Sequence, residues 1–134
     1  MPRFKPLAHP SDIGIIAYGK TKKEIFENAA YGMFSIMADL KKVKAIQSLE
    51  IKVSGEDWGN LLINWLNELI YYADAKKMLF SKFKIKKINA TQLEAAVSGE
   101  KIDLDRHSIY RSIKAATYNQ LHVSSNQAKI VFDV

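Results

Sequence analysis

The 134 residues include no cysteine, which removes disulfides, thiolate zinc sites and thiol nucleophiles from consideration. The three histidines, His9, His107 and His122, are dispersed, and none joins another at the four-residue spacing of a zincin helix, so each reads as structural. No serine occupies a Gly-x-Ser-x-Gly elbow, and the six glycines form neither a P-loop nor a dinucleotide-binding turn. What remains is acidic. Asp12 heads an apolar run, Asp103 stands near Asp105, and Asp133 precedes the terminal carboxylate of Val134. Oxygen-only donors of this kind suit calcium or magnesium. Asp12 also reads as a turn residue satisfying nearby backbone donors, and the two readings stay open at this level. With no catalytic constellation in view, the chain reads as a non-enzyme.

The elements that must position these residues follow from periodicity. Asp12 to Tyr18 is apolar and partly β-branched, predicting a strand at the interior of a sheet. Thr21 and Glu24 have capping-box spacing, after which Ile25, Phe26, Ala29, Ala30, Met33, Ile36 and Met37 recur as one helical face. Leu49, Ile51 and Val53 alternate with Glu50 and Lys52 as a half-buried strand. From Trp58 a second helix carries Leu61, Leu62, Trp65, Leu66, Leu69 and Ile70 on one side. Its other side carries Asn60, Asn64, Asn67 and Glu68. Asparagine is a poor helix former, so this face is either simply solvated or held by something.

Farther on, Met78 to Ile88 alternates apolar residues with Lys82, Lys84 and Lys86, and Gln92 to Ser98 returns beside it through a turn at Asn89 to Thr91. An irregular polar stretch leads to Ile109 to Tyr118, read as a short helix or turn. Leu121 to Val123 and Ala128 to Val134 form a closing hairpin around Ser124 to Gln127. The order βαβαββ(α)ββ predicts an α+β fold: a mixed or antiparallel sheet in one layer, packed by two amphipathic helices, in a single domain over residues 1–134.

Composition narrows the partners. A net charge of +6 and a pI near 9.4 favour anionic ones, although solvated lysines give the same totals. No apolar run reaches the roughly 20 residues that span a bilayer and no signal peptide is recognisable, which points to the cytoplasm and away from membranes. The lysines come without the stacking aromatics of an RNA reader, so any direct contact with RNA is expected to be weak and electrostatic.

Several stretches, in order, resemble one family along nearly the whole chain. His9-Pro-Ser-Asp-Ile-Gly14 is similar to the archease opening His-Thr-Ala-Asp-Ile-Gly. Tyr18-Gly19, Phe26-Glu-Asn-Ala-Ala30, Gly32-Met-Phe34, Trp65-Leu-Asn-Glu-Leu69 and Phe80-Ser-Lys-Phe83 continue the pattern. Gly99-Glu100, His107, Lys114-Ala-Ala-Thr-Tyr118 and Phe132-Asp-Val134 complete it. Pro10-Ser11 replaces the usual Thr-Ala, and Asn119 stands where the family often has histidine. The resemblance implies an SHS2-like fold and an accessory protein that promotes guanylylation and multiple turnover of the GTP-dependent RtcB-type RNA ligase in tRNA splicing. It implies, as an alternative, a chaperone-like modulator of a tRNA cytosine-5 methyltransferase. It also implies a divalent cation, calcium, held near the paired chain ends by Asp12, Asp133 and the carboxylate of Val134.

Overall fold

The computed structural model describes residues 2–8 and 11–134. His9 and Pro10, part of the opening motif, lie outside them. The elements are β1 (Phe4–Pro6), β2 (Ile13–Tyr18), α1 (Lys22–Met37), β3 (Gln47–Ser54), α2 (Trp58–Ala75), β4 (Met78–Ile88), β5 (Gln92–Lys101), β6 (Ala115–Val123) and β7 (Gln127–Asp133). A single 3-10 turn, Leu40–Lys42, follows α1.

α1 begins where the capping pattern places it. The Thr21 hydroxyl accepts from the Glu24 N–H at 3.2 Å. α2 begins at an analogous cap, the Asp57 carboxylate accepting from the Asn60 N–H at 2.8 Å. It ends at Lys76, beyond which Lys77 adopts a left-handed φ of 55° to turn the chain into β4.

The strands form two sheets where one layer was expected. One runs β1-β2-β7-β6, the other β3-β5-β4, and every pair is antiparallel. The cause is α1. Its buried residues include Gly32 as well as Phe34, which lie on opposite sides of the helix. At Gly32 an added Cβ would meet Ile15 of β2 at 2.8 Å, so the helix sits close on the first sheet. Phe34 meets Phe80 of β4 edge to face, with centroids 5.6 Å apart. A helix apolar on two sides needs a sheet on each. α2 joins α1 through Trp65, fully buried, whose indole N–H donates to the Phe26 carbonyl at 3.0 Å.

Residues 109–118 do not form the expected helix or turn. Ile109 bridges to Ala38, and the N–H groups of Tyr110 and Arg111 donate to the Met37 carbonyl. β6 then starts at Ala115, because Ala115, Ala116 and Thr117 pair with Asp133, Phe132 and Val131. The closing hairpin is thus longer than its alternating residues indicated. Its ladder is interrupted between Thr117 and His122, where Gln120 takes a φ of 58°. Strand β1 went unread, being three residues long with a proline.

Of the six glycines, Gly99 faces the tightest backbone approach. It lies opposite Phe80 beside a register shift of β4, and a Cβ there would fall 1.8 Å from the Leu79 carbonyl oxygen. Because that obstacle is backbone, Gly99→Ala is expected to cost about 3 kcal/mol, which urea unfolding at neutral pH would measure. A cost within error of zero would mean that the β4–β5 bulge yields easily.

Candidate cation site and the buried polar knot

The β2–β7 register ends at Ile13 opposite Phe132, so the next positions along it are Asp12 and Asp133. The lengthened β6 adds a third strand to this end of the sheet, with Ala115 opposite Asp133 and the Lys114 N–H donating to the Asp133 carbonyl at 2.8 Å. Asp12 is half-buried, while Asp133 and Val134 are exposed. The Gln120 amide donates to Asp12 Oδ2 at 3.2 Å, and its oxygen accepts from Lys129 Nζ at 2.8 Å. Left-handed backbone at a non-glycine residue is uncommon, and here it belongs to the residue whose side chain reaches Asp12.

The other acidic pair does different work. The Asp103 carboxylate accepts from the Asp105 N–H at 3.0 Å, an Asx turn. Among the described residues no three His, Asp or Glu side chains converge as a metal site. Of the donors expected from the sequence, Asp12, Asp133 and the carboxylate of Val134, the strand register brings the two aspartates to adjoining positions.

The asparagine face of α2 is held. Asn67 Oδ1 accepts from the Ala116 N–H at 2.8 Å and its Nδ2 donates to the Ala116 carbonyl at 3.4 Å, as a neighbouring peptide group would. Asn64 donates to the Ser54 carbonyl at 2.9 Å, and Asn60 accepts from the Glu56 N–H while donating to the Tyr118 hydroxyl. Two carboxamides thus tie α2 to the outer edges of β6 and β3.

The polar cluster that pattern reading missed surrounds Glu100, 5% exposed, and His107, 6% exposed. The Arg106 guanidinium donates to both Glu100 oxygens, and the Lys44 N–H adds a bond of 2.7 Å to Oε2. The Asp103 N–H donates to His107 Nδ1 at 2.9 Å, so the ring proton sits on Nε2 and points at Glu100 Oε2, also 2.9 Å away. The Arg106 hydrogen bonds first, then those from Lys44 and His107, hold the Glu100 carboxyl far below the usual carboxylate range, against the opposing effect of desolvation. These bonds lock the end of β5 to the 3-10 turn and the loop after it. The sequence signal was only the resemblance at Gly99-Glu100 and His107, since seven residues across an irregular loop form no periodic pattern.

On the solvent face of the smaller sheet, Lys86 pairs with Glu50 at 3.1 Å and Lys52 with Glu94 at 3.8 Å. The basic strand seen in the sequence is therefore interleaved with acids.

The model of the Archease protein family (MTH1598/TM1083) matches residues 4–134. The archease of Sulfolobus acidocaldarius is 37% identical over 132 residues, covering 98% of this chain and 95% of its own. That of Sulfurisphaera tokodaii is 41% identical over 127 residues, covering 93% and 91%. The solution structure of Methanobacterium thermoautotrophicum protein 1598 aligns over 100% of both chains with a TM-score of 0.83 and 33% identity. A Thermotoga maritima archease described as a possible chaperone shares the fold, with a TM-score of 0.63 at 19% identity over 97% of this chain and 96% of its own.

The knot carries a pH signature. A carboxyl whose folded pKa is depressed contributes stability that is fully present above its unfolded value, about 4.3, and is lost as pH falls from there toward the folded value. Glu100→Gln should therefore unfold at lower temperature at pH 7 and lose less stability than the wild type on acidification. Thermal melts between neutral and strongly acidic pH compare the two slopes, and parallel slopes would remove Glu100 from the acid response.

Proposed function

The chain belongs to the archease family, and from that membership we propose that it is a non-catalytic accessory protein of RNA processing, activating a GTP-dependent RtcB-type RNA ligase in the cytoplasm. The observation that carries this reading is the family match over residues 4–134. The side chains best suited to chemistry agree with it. Glu100 and His107 are spent on a buried lock, with both Glu100 oxygens and both His107 ring nitrogens engaged within the protein. What the protein offers a client is surface. The Thermotoga protein's description as a possible chaperone is of the same non-catalytic kind.

Asp12, Asp133 and the main-chain carboxylate of Val134 would hold a divalent cation, calcium in this proposal. The fit rests on the donor chemistry: oxygen only, with the two aspartates at adjoining register positions. A bound dication would offset repulsion among these carboxylates and stiffen the end of the sheet that β2, β7 and β6 share.

RNA contact is subsidiary. Lys82 and Lys84 are exposed, but the same face carries Glu50 and Glu94. Without a client, tRNA binding should be weak and should vanish at moderately raised salt. A complex persisting there, followed by electrophoretic mobility, would contradict this view.

The decisive assay mixes the protein with the ligase, GTP and manganese and follows ligase guanylylation. Stimulation is expected, and Asp12→Ala or Asp133→Ala should abolish it with little change in melting temperature, since neither residue belongs to the buried core. Calcium should raise the melting temperature of the wild type and not of the variants. Normal stimulation by the variants would detach the acidic end from function. No stimulation by the wild type would overturn the ligase reading and leave the methyltransferase as the client to assay.

A further inference from the structure

The two sheets have four outer edges, and three of them are closed. β1 is three residues long and ends in Pro6. β6 receives the Asn67 carboxamide at Ala116. β4 is broken by two register shifts, and its Ile85 N–H donates to the Glu27 carboxylate of α1 at 2.8 Å. β3 is capped only at its last residue, where Asn64 takes the Ser54 carbonyl, and is otherwise open: its eight residues pair with β5 in unbroken register, without proline or bulge.

The phase of its hydrogen bonds is fixed. The Gly55 N–H donates to the Thr91 carbonyl, continuing the ladder in which Ser54 lies opposite Gln92. Main-chain groups alternate in direction along an antiparallel strand. Leu49, Ile51 and Val53 therefore turn theirs toward β5, and Ser48, Glu50, Lys52 and Ser54 turn theirs to the open side. The Ser54 carbonyl is taken by Asn64, whereas the peptide groups of Glu50 and Lys52 have no partner there among the described residues. Open grooves run along this edge between Glu50 to Ser54 and the α2 flank bearing Glu68 and Tyr71.

We propose that the β3 edge is a self-association surface, on which a second copy of this chain adds its own β3 antiparallel about a two-fold axis at Ile51. The strand reads as its own complement. In that register Glu50 faces Lys52 of the second copy, Ser48 faces Ser54, Leu49 faces Val53 and Ile51 faces Ile51. The outward peptide groups of Glu50 and Lys52 fall opposite one another, as a hydrogen-bonded pair requires. Charges also continue across the junction: Lys86 and Glu50 of one copy meet Lys52 and Glu94 of the other, giving alternating signs along one row.

The neighbouring registers fail. A slip of one residue puts the peptide groups out of phase, and a slip of two sets Glu50 against Glu50 or Lys52 against Lys52, like charges directly opposed. The charged residues that usually guard an edge strand here select a single partner. One strand pair per copy is a small interface, so the association should be reversible and concentration-dependent.

Sedimentation velocity of the full chain from low micromolar to near-millimolar concentration tests this, with a monomer–dimer equilibrium expected. Glu50→Pro replaces an N–H that points away from β5 and so spares the internal ladder. It should abolish the dimer with the circular dichroism spectrum retained. Glu50→Lys and Lys52→Glu should each weaken self-association about tenfold, and mixing these two variants should recover it. These charge variants decide the matter if the proline variant does not fold. A wild type that stays monomeric throughout, a dimer that survives Glu50→Pro in a folded protein, or charge variants whose mixture associates no better than each alone would overturn the proposal.

Discussion

The architecture depends on the two-sided burial of α1. Its Gly32 side lies against Ile15 and Phe4, and its Phe34 side against Phe80 and Phe83. A sheet on one face alone would leave either Phe34 or the Gly32 surface in water, at a cost of about 2 kcal/mol for each large side chain exposed. Once two sheets enclose the helix, the connections follow. β2 enters α1 directly, and the chain returns through β6 and β7 so that the last strand lies beside β2. The proximity of Asp12 and Asp133 is thus a consequence of how the core is covered, before any question of what they bind.

Enclosing one helix between two short sheets creates edges, and the polar face of α2 is largely devoted to them. Asn67 stands in for a strand residue at Ala116, while Asn64 and Asn60 hold Ser54, Glu56 and Tyr118. Asparagine costs helix propensity, a few tenths of a kcal/mol per residue relative to good helix formers. A hydrogen bond to an otherwise unpaired main-chain group is worth about 1 kcal/mol. The second figure exceeds the first, so the asparagines stabilise the whole even as they weaken their own helix. β3 keeps its central peptide groups open in a fold that otherwise closes its edges, which is why that strand invites a partner.

The sequence made both helices legible because their apolar stripes are long and, for α1, because the Thr21 cap conforms. It made β3 to β5 legible through period-two alternation, and the Asn face of α2 drew notice through composition. Strand partition into two sheets was not legible, since alternation shows that a face is buried without showing against what. Residues 109–118 misled for a definable reason: Lys114-Ala-Ala-Thr is short and alanine-rich, and the main-chain bonds that straighten it come from Met37 and Asp133, far away in sequence. The Glu100 knot escaped for the same reason, its partners Lys44 and Arg106 lying on either side of it at distances that no local pattern encodes. Asp12 and Asp133 were singled out by residue type, but only the strand register puts them side by side.

The knot and the acidic end are joined by one segment. Asp39 donates to the Ser108 carbonyl, Met37 accepts from Tyr110 and Arg111, and Lys114 donates to Asp133, so residues 108–114 are pinned by main-chain bonds at both ends and in the middle. Their side chains are nevertheless displayed, Tyr110 being 62% exposed. A segment without regular secondary structure ordinarily gains local freedom. Here the lock at one end, the strand ladder at the other and the C-terminus of α1 between them remove it. The accessory role proposed for this chain would call for a surface that need not be ordered anew when a client arrives, because ordering side chains and loops at an interface subtracts from affinity. Burying Glu100 and His107 in a structural lock is consistent with that demand: polar groups that could have done chemistry instead fix the shape of the surface beside the acidic end.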